Sequence, residues 1–293
     1  MNYHYQFQLG QFTCTALYDN SRVTSPAQLF PTIPEADLQQ AMRDCGVTAD
    51  EVQAGYNCLH IDTDEHSVLI DTGSGAGHLH ESLQAAGIDV DSIDTVIITH
   101  GDGDHIGGIN GFPNARFVMT PQAWHLWTDP TERHGMVAEF VKLFQGKLPK
   151  GQLTERAVNR EAYGSETLPA LQFRVELVEP ETAFIPGFKL VAAPGHRRDH
   201  TAVEIQSQGD NGLETLLHVV DGIRHPVQVA NPRWASFIDS YPEQTADTNV
   251  KLLERAIQNN ALIFGAHLSF PALGHVRVTA DGIEWSPVSA PIK

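Results

Sequence analysis

Cysteine is scarce in this chain, and Cys14, Cys45 and Cys58 stand far apart with no C-x-x-C pair, so neither a disulfide framework nor a zinc ribbon organises it. They read as buried thiols. Basic residues are also few: 19 Lys and Arg against 36 Asp and Glu give a formal net charge of -17, which repels phosphate backbones and anionic lipid. That balance argues against a nucleic-acid or membrane-surface partner and suits a small-molecule substrate. No apolar run approaches the roughly 18 residues of a membrane span. The start, Met1-Asn2-Tyr3-His4-Tyr5-Gln6, has neither the basic region nor the apolar core of a secretory leader, so the chain reads as soluble and cytoplasmic. Linkers and low-complexity tracts are missing as well. A single domain over 1–293 is the expectation, with 1–55 as an N-terminal extension near the site and a homodimer admissible.

What the chain does have is concentrated between Asp94 and Gly108. The β-branched run Thr95-Val96-Ile97-Ile98-Thr99 reads as a buried strand. It stops in His100-Gly101-Asp102-Gly103-Asp104-His105, where every residue that is not glycine can bind a metal. Gly101 and Gly103 carry no Cβ, which permits the sharp turns that would bring the four side chains together. A lone His or a turn Asp is usually structural; the joint pattern on a strand tip points to metal binding.

The rest of the chain delivers further candidates in the same manner. Residues 5–17 and 56–62 alternate as strands, and Pro26 to Val52 carries a helical pattern. Ser67-Val68-Leu69-Ile70 is a strand that runs into Asp71-Thr72-Gly73, a helix over 77–86 follows, and Arg116-Phe117-Val118-Met119 is the next strand. Between 121 and 165, Trp124 and Trp127 lie in a helix opened by Pro121, while Val137, Phe140, Val141 and Phe144 make an amphipathic one. Each aromatic alone is packing, but as a set they suit a helical cap over an apolar substrate. Beyond it, strand 188–193 ends in Pro194-Gly195-His196, strand 216–220 in Asp221, and strand 261–264 in Gly265-Ala266-His267, with a helix over 250–260. Each strand puts one potential ligand at its C-terminal tip.

Thr99-His100-Gly101-Asp102-Gly103-Asp104-His105-Ile106-Gly107-Gly108 resembles the metal loop of the metallo-β-lactamase superfamily, His-x-His-x-Asp-His, with Asp102 where the second His usually stands. Asp71-Thr72-Gly73, Pro194-Gly195-His196, Asp221 and Gly265-Ala266-His267 match further elements in the right order, from about residue 57 to about residue 275. The tract 121–127 and Phe270-Pro271-Ala272-Leu273-Gly274-His275 are similar to the methyl parathion hydrolase and lactonase branch. The resemblance implies an α+β fold, a four-layer αβ/βα sandwich. It assigns His100, Asp102 and His196 to one metal, Asp104, His105 and His267 to a second, and Asp221 between them, with Asp71 hydrogen-bonding a metal-binding His. Asp104 and Asp221 are then the carboxylates at the reacting centre. His200 and His275 read as outside the ligand set, and Arg197, Arg198 and Arg224 as solvated or structural.

The implied cofactors are two divalent ions, zinc first, with iron or manganese as alternatives. Two such ions would lower the pKa of a shared water from about 15.7 toward about 7, giving a hydroxide able to attack an ester, lactone or phosphoryl centre. Asp102 makes the site one unit less positive and shifts preference somewhat toward iron or manganese. An acidic residue also stands there in the superfamily's diiron flavoproteins. The leading expectation is therefore a metallo-hydrolase of a small carboxylic ester or lactone, then organophosphate. A diiron oxidoreductase is the alternative, and a non-catalytic sensor with the same fold is a third.

Overall fold

The computed structural model describes residues 3–46, 52–280 and 282–288. Two mixed sheets face each other. The first contains β1 (His4–Leu9), β2 (Phe12–Thr24), β3 (Val52–Asp62), β4 (Ser67–Ile70), β5 (Thr95–Ile97), β6 (Arg116–Met119) and β7 (Val175–Leu177), in sequence order across the sheet. The second contains β8 (Phe188–Ala192), β9 (Thr201–Gly209), β10 (Gly212–Val220), β11 (Leu262–Gly265), β12 (Leu273–Thr279) and β13 (Gly282–Pro287), in the order β13-β12-β11-β10-β9-β8. Strands β4 to β7 are parallel, as are β10 and β11; the other pairs are antiparallel.

The alternation of side chains along each strand separates the layers. Val68, Ile70 and Ile97 point inward and pack with Leu190, Val203, Ile205, Leu217, Val219 and Ile263 of the opposite sheet. Leu69, Val96 and Ile98 point the other way, into a cluster with Leu79, Leu83, Leu126, Trp127 and Met136 from the covering helices. Each buried aliphatic side chain contributes about 1.5–3 kcal/mol, and the two clusters fix both faces of the first sheet. The helix Pro242–Gln258 adds Leu252, Leu253 and Ala256 to the inner cluster. The architecture is the α+β sandwich that the family resemblance implies.

Several sequence expectations change in detail. Within residues 4–24 lie two strands of the first sheet, so the beginning of the 1–55 stretch is part of that sheet. The helical pattern over Pro26 to Val52 resolves into helices Pro26–Leu29 and Glu35–Asp44, and Val52 already begins β3. The rest of that helical expectation, 47–51, lies outside the described residues. Cys14 and Cys58 are buried, but Cys45 is only half-buried.

The tract 121–165 forms helices Pro121–Thr128, Pro130–Phe144 and Lys150–Ala162. The first starts where Thr120 Oγ1 accepts from Ala123 N at 3.1 Å. The second starts where Asp129 Oδ1 accepts from Thr131 N at 2.9 Å and Glu132 N at 3.0 Å, each satisfying amides that a helix leaves open at its start.

Candidate metal centre

The C-terminal ends of β4, β5, β8, β10 and β11 lie along one edge, where open α/β sheets place their ligand-binding loops. β4 ends in Asp71, β5 leads through Thr99 to His100, β8 to His196, β10 to Asp221, and β11 to His267. Asp221 sits at the centre. Its Oδ1 is 2.9 Å from His267 Nε2 and 3.1 Å from His105 Nε2, and its Oδ2 is 3.0 Å from His196 Nε2 and 3.6 Å from His100 Nε2. Asp104 Oδ2 is 3.6 Å from His267 Nε2 and 3.8 Å from His105 Nε2. Two groups result that could each hold a cation: His100, His196 and Asp221, and Asp104, His105 and His267.

The ring nitrogens facing away from Asp221 are all engaged. His105 Nδ1 is 2.7 Å from Asp71 Oδ2, His196 Nδ1 is 2.9 Å from Asp239 Oδ1, and His267 Nδ1–H donates to Gly55 O at 2.7 Å. Thr99 Oγ1 donates to Asp71 Oδ2 at 2.8 Å, which leaves it to accept from His100 Nδ1–H at 3.1 Å. Such partners fix each tautomer with the lone pair on Nε2, the form a metal requires. Asp71 stands at φ 62°, a left-handed conformation that Asp and Asn tolerate better than most residues. Asp71→Asn keeps the shape while removing the acceptor charge, so metal affinity should fall about 10- to 100-fold, measured by zinc titration of the stripped protein.

Four of the converging atoms, Nε2 of His100, His105 and His267 and Oδ1 of Asp221, are buried with no hydrogen-bond partner. Leaving buried polar atoms unsatisfied costs about 1–3 kcal/mol each, so their shared direction is a physical fit for a divalent cation. The local potential agrees. Burial opposes a charge on His105, but the carboxylates of Asp221, Asp71 and Asp104 outweigh it and raise its pKa well above the ordinary imidazole value. Burial, with His105 alongside, pushes His100 well below.

The turn bearing Asp221 is strained. Val220 has φ 52°, rare for a β-branched residue. It is held there by its amide donating to His218 Nδ1 at 3.0 Å and by the Asp221 amide donating to His200 Nε2 at 3.1 Å. His200 thus supports the turn without joining the donor set, and His275 is exposed. Gly195, at φ 138°, lies where a Cβ would meet Thr245 N at 2.4 Å, so the turn before His196 accepts only glycine.

Asp102 behaves differently from its neighbours. Its Oδ1 accepts from Arg160 Nη2 at 2.6 Å and Arg197 Nε at 3.1 Å, and its Oδ2 from Arg197 Nη2 at 2.8 Å. The nearest imidazole nitrogens to Oδ2 are His196 Nε2 at 3.5 Å and His100 Nε2 at 3.9 Å. Burial alone would raise the Asp102 pKa; Arg160 and Arg197 hold it well below the usual carboxylate range. The expected loss of one positive unit is therefore offset by arginines. Arg224, also read as solvated or structural, is buried and donates to Asp221 Oδ2. Arg198 is the exception, pairing with Glu132 at the surface at 3.0 Å.

The aromatic tract packs against this arrangement. Arg160 lies over the Phe140 ring at 3.9 Å, and Trp127 Nε1 donates to Asp199 Oδ2 at 2.6 Å. The same Asp199 oxygen accepts from Gly101 N at 2.9 Å. Gly101 and Gly103 do not adopt the positive φ that a glycine-only turn uses. Glycine is needed at 101 for another reason: a Cβ there would lie 2.2 Å from the Trp127 ring. Asp199, Asp239 and Arg160 were not among the sequence candidates, since none sits in a local motif.

A cleft of about 960 Å³ lined by Ile33, Leu143, Trp234 and Phe237 reaches Asp239. Asp239 contacts His196 on the Nδ1 side, so this cleft lies behind the donor cluster. Access to the donors is at Asp104, whose side chain is 30% exposed while those of His100, His105, His196, Asp221 and His267 are at most 3% exposed. Tyr56 packs edge-on to His267 there, with ring centroids 5.3 Å apart.

Known proteins share this architecture. AidC, a dizinc quorum-quenching lactonase, superposes with a TM-score of 0.82 at 24% identity over 98% of each chain. The hydrolase AbOPH of the beta lactamase superfamily gives a TM-score of 0.81 at 25% identity over 99% of each chain. A probable metallo-hydrolase of Mycobacterium tuberculosis is 26% identical over 196 residues, 57% of this chain and 56% of its own length. The chain thus spans little more than half of that curated relative. The profile of the Metallo-beta-lactamase superfamily matches residues 54–210, from the strand before Asp71 through the metal loop to His196, while Asp221 and His267 join the cluster by geometry. With more than half of its length matched, this fold, and histidines and carboxylates meeting at the strand tips, the chain belongs to the metallo-β-lactamase superfamily.

Proposed function

We propose that the chain is a metal-dependent hydrolase of a small ester-like substrate, a carboxylic ester or lactone ahead of an organophosphate. The observation that carries this reading is the convergence of the buried Nε2 atoms of His100, His105 and His267, none with a hydrogen-bond partner, on the Asp221 carboxylate. Divalent cations held by these residues supply positive charge that lowers the pKa of water toward about 7 and stabilises the oxyanion of an attacked carbonyl or phosphoryl group. The four imidazoles favour zinc.

The protein's own residues support the same reaction. Asp71, Asp239 and Gly55 O aim His105, His196 and His267. Asp104, partly open to solvent, borders the route by which substrate and water enter. The cysteines offer no competing nucleophile: burial pushes the Cys14 thiol up to about 12 and Cys58 well above its ordinary value, and burial with Asp44 and Glu284 nearby also raises Cys45, which disfavours thiolate at neutral pH. A lactone heads the substrate list because AidC, which shares the fold, is a lactonase. The diiron alternative draws on Asp102 as a carboxylate ligand, and the arginines that engage both its oxygens argue against that role.

Turnover of at least one lactone, aryl ester or phosphotriester is expected, lost on chelation and restored by zinc. Stoichiometric metal without turnover across that panel would favour the sensor, and paired iron with a visible absorption band the redox enzyme.

A further inference from the structure

The two donor groups are not equivalent in what else touches them. On the Asp104, His105 and His267 side, both imidazole Nε2 atoms and Asp221 Oδ1 have no hydrogen-bond partner; on the other side His100 Nε2 is likewise free, and the difference lies in the carboxylate oxygens and His196. On the His100 and His196 side, the carboxylate oxygens are engaged by guanidinium groups. Arg224 Nη2 donates to Asp221 Oδ2 and lies 3.3 Å from His196 Nε2. Arg160 and Arg197 take both oxygens of Asp102, at 2.6 Å and 2.8 Å for their shortest contacts.

Charge points the same way. On the Nε2 side of the imidazoles the carboxylates are Asp102, Asp104 and Asp221, with Asp71 and Asp239 behind the rings of His105 and His196, and Arg160, Arg197 and Arg224 bring as many fixed positive charges as the first three carry negative. One divalent ion then gives this cluster the net charge that two ions would give a site of two carboxylates and no arginine. A second ion would enter beside fixed guanidinium charge in a buried setting, where like charges repel strongly.

We propose that this chain holds one divalent cation tightly, through Asp104, His105, His267 and Asp221, and a second far more weakly, because Arg160, Arg197 and Arg224 occupy the carboxylate oxygens on the His100 and His196 side. The proposal rests on the metal-hydrolase reading above. It makes the arginines part of the metal centre: they complete its charge and withhold Asp102 from coordination.

The test is equilibrium dialysis of the whole chain, stripped by chelation, against buffered free zinc, read by elemental analysis. One zinc per chain is expected at low free zinc, with the second at free concentrations at least about 100-fold higher, a gap of two tenfold steps in affinity. Arg224→Met should tighten the second ion about tenfold or more, by releasing Asp221 Oδ2 and His196 Nε2. His267→Ala should lose the tight ion, whereas His196→Ala should keep it; this pair decides the matter even if Arg224→Met does not fold, and circular dichroism checks each variant. Two zinc ions filling together, or a tight ion lost in His196→Ala and kept in His267→Ala, would overturn the proposal while leaving the hydrolase reading in place. A parent chain that retains no zinc at any concentration would overturn both.

Discussion

Asp221→Asn should reduce kcat/KM by at least about 1000-fold on whichever ester or lactone the wild type hydrolyses, a loss of about 4 kcal/mol of transition-state stabilisation. Asp221 is the side chain that all four imidazoles face, within 2.9 to 3.6 Å, so no other single carboxylate can take its place. The substitution keeps the size of the group and removes its charge. Steady-state kinetics with zinc analysis of the same sample provide the check: activity and bound zinc should fall together. Loss of activity with full zinc would mean that Asp221 acts on the substrate alone, and near-normal kcat/KM would remove it from the centre. The strained backbone at Val220, φ 52°, fits this importance, since such conformations cost about 1–3 kcal/mol and persist where the surroundings enforce them.

Asp102→Ala is expected to cost about 3–5 kcal/mol of stability, because it leaves Arg160 and Arg197 buried without a counter-ion. For a chain of this size that is roughly a 5–8 °C fall in Tm. Asp102→His, which the family pattern alone suggests as a benign exchange, should destabilise for the same reason. Replacing all three charged groups together by leucine or methionine should cost much less than Asp102→Ala, since removing a whole buried ion cluster is often close to neutral. The pH dependence has a definite sign. The Asp102 pKa is depressed in the folded protein, so its contribution is fully present above the unfolded value of about 3.9 and is lost as pH falls through the lower folded value. The stability gap between wild type and Asp102→Ala should therefore be flat from about pH 5 to 8 and narrow only in strong acid. Urea unfolding across that range measures it, and a gap that closes near neutrality would mean that another group carries the effect.

The donor set was legible because each donor follows a short apolar strand and carries its own local signature: His100 to His105 on β5, Pro194-Gly195-His196 after β8, Asp221 after β10 and His267 after β11. Strand burial, read from β-branched runs, puts each donor at a strand tip, and the resemblance to the metallo-β-lactamase superfamily implies that the tips share one edge. The arginines were not legible. Arg160 and Arg197 meet Asp102 across 58 and 95 residues, and no local spacing encodes such a meeting. The helix Lys150–Ala162 is polar nearly all round, and Arg160 is its one buried residue among those described, so hydrophobic periodicity passes over the position that matters. The aromatics at 127 and 140 were visible as an apolar set, but their partners, Asp199 and Arg160, were not. The sequence pattern assigns the glycine at 101 to backbone freedom, whereas its role is to admit the Trp127 ring.

The central claim is that side chains from separate strand tips enclose a divalent cation. Anomalous diffraction at the zinc edge, on crystals of zinc-replete protein, tests it most directly. The account predicts a strong peak bounded by Asp104, His105, His267 and Asp221, and any second, weaker peak between His100, His196 and Asp221. Anomalous density elsewhere on the chain, with none among these residues, would contradict it.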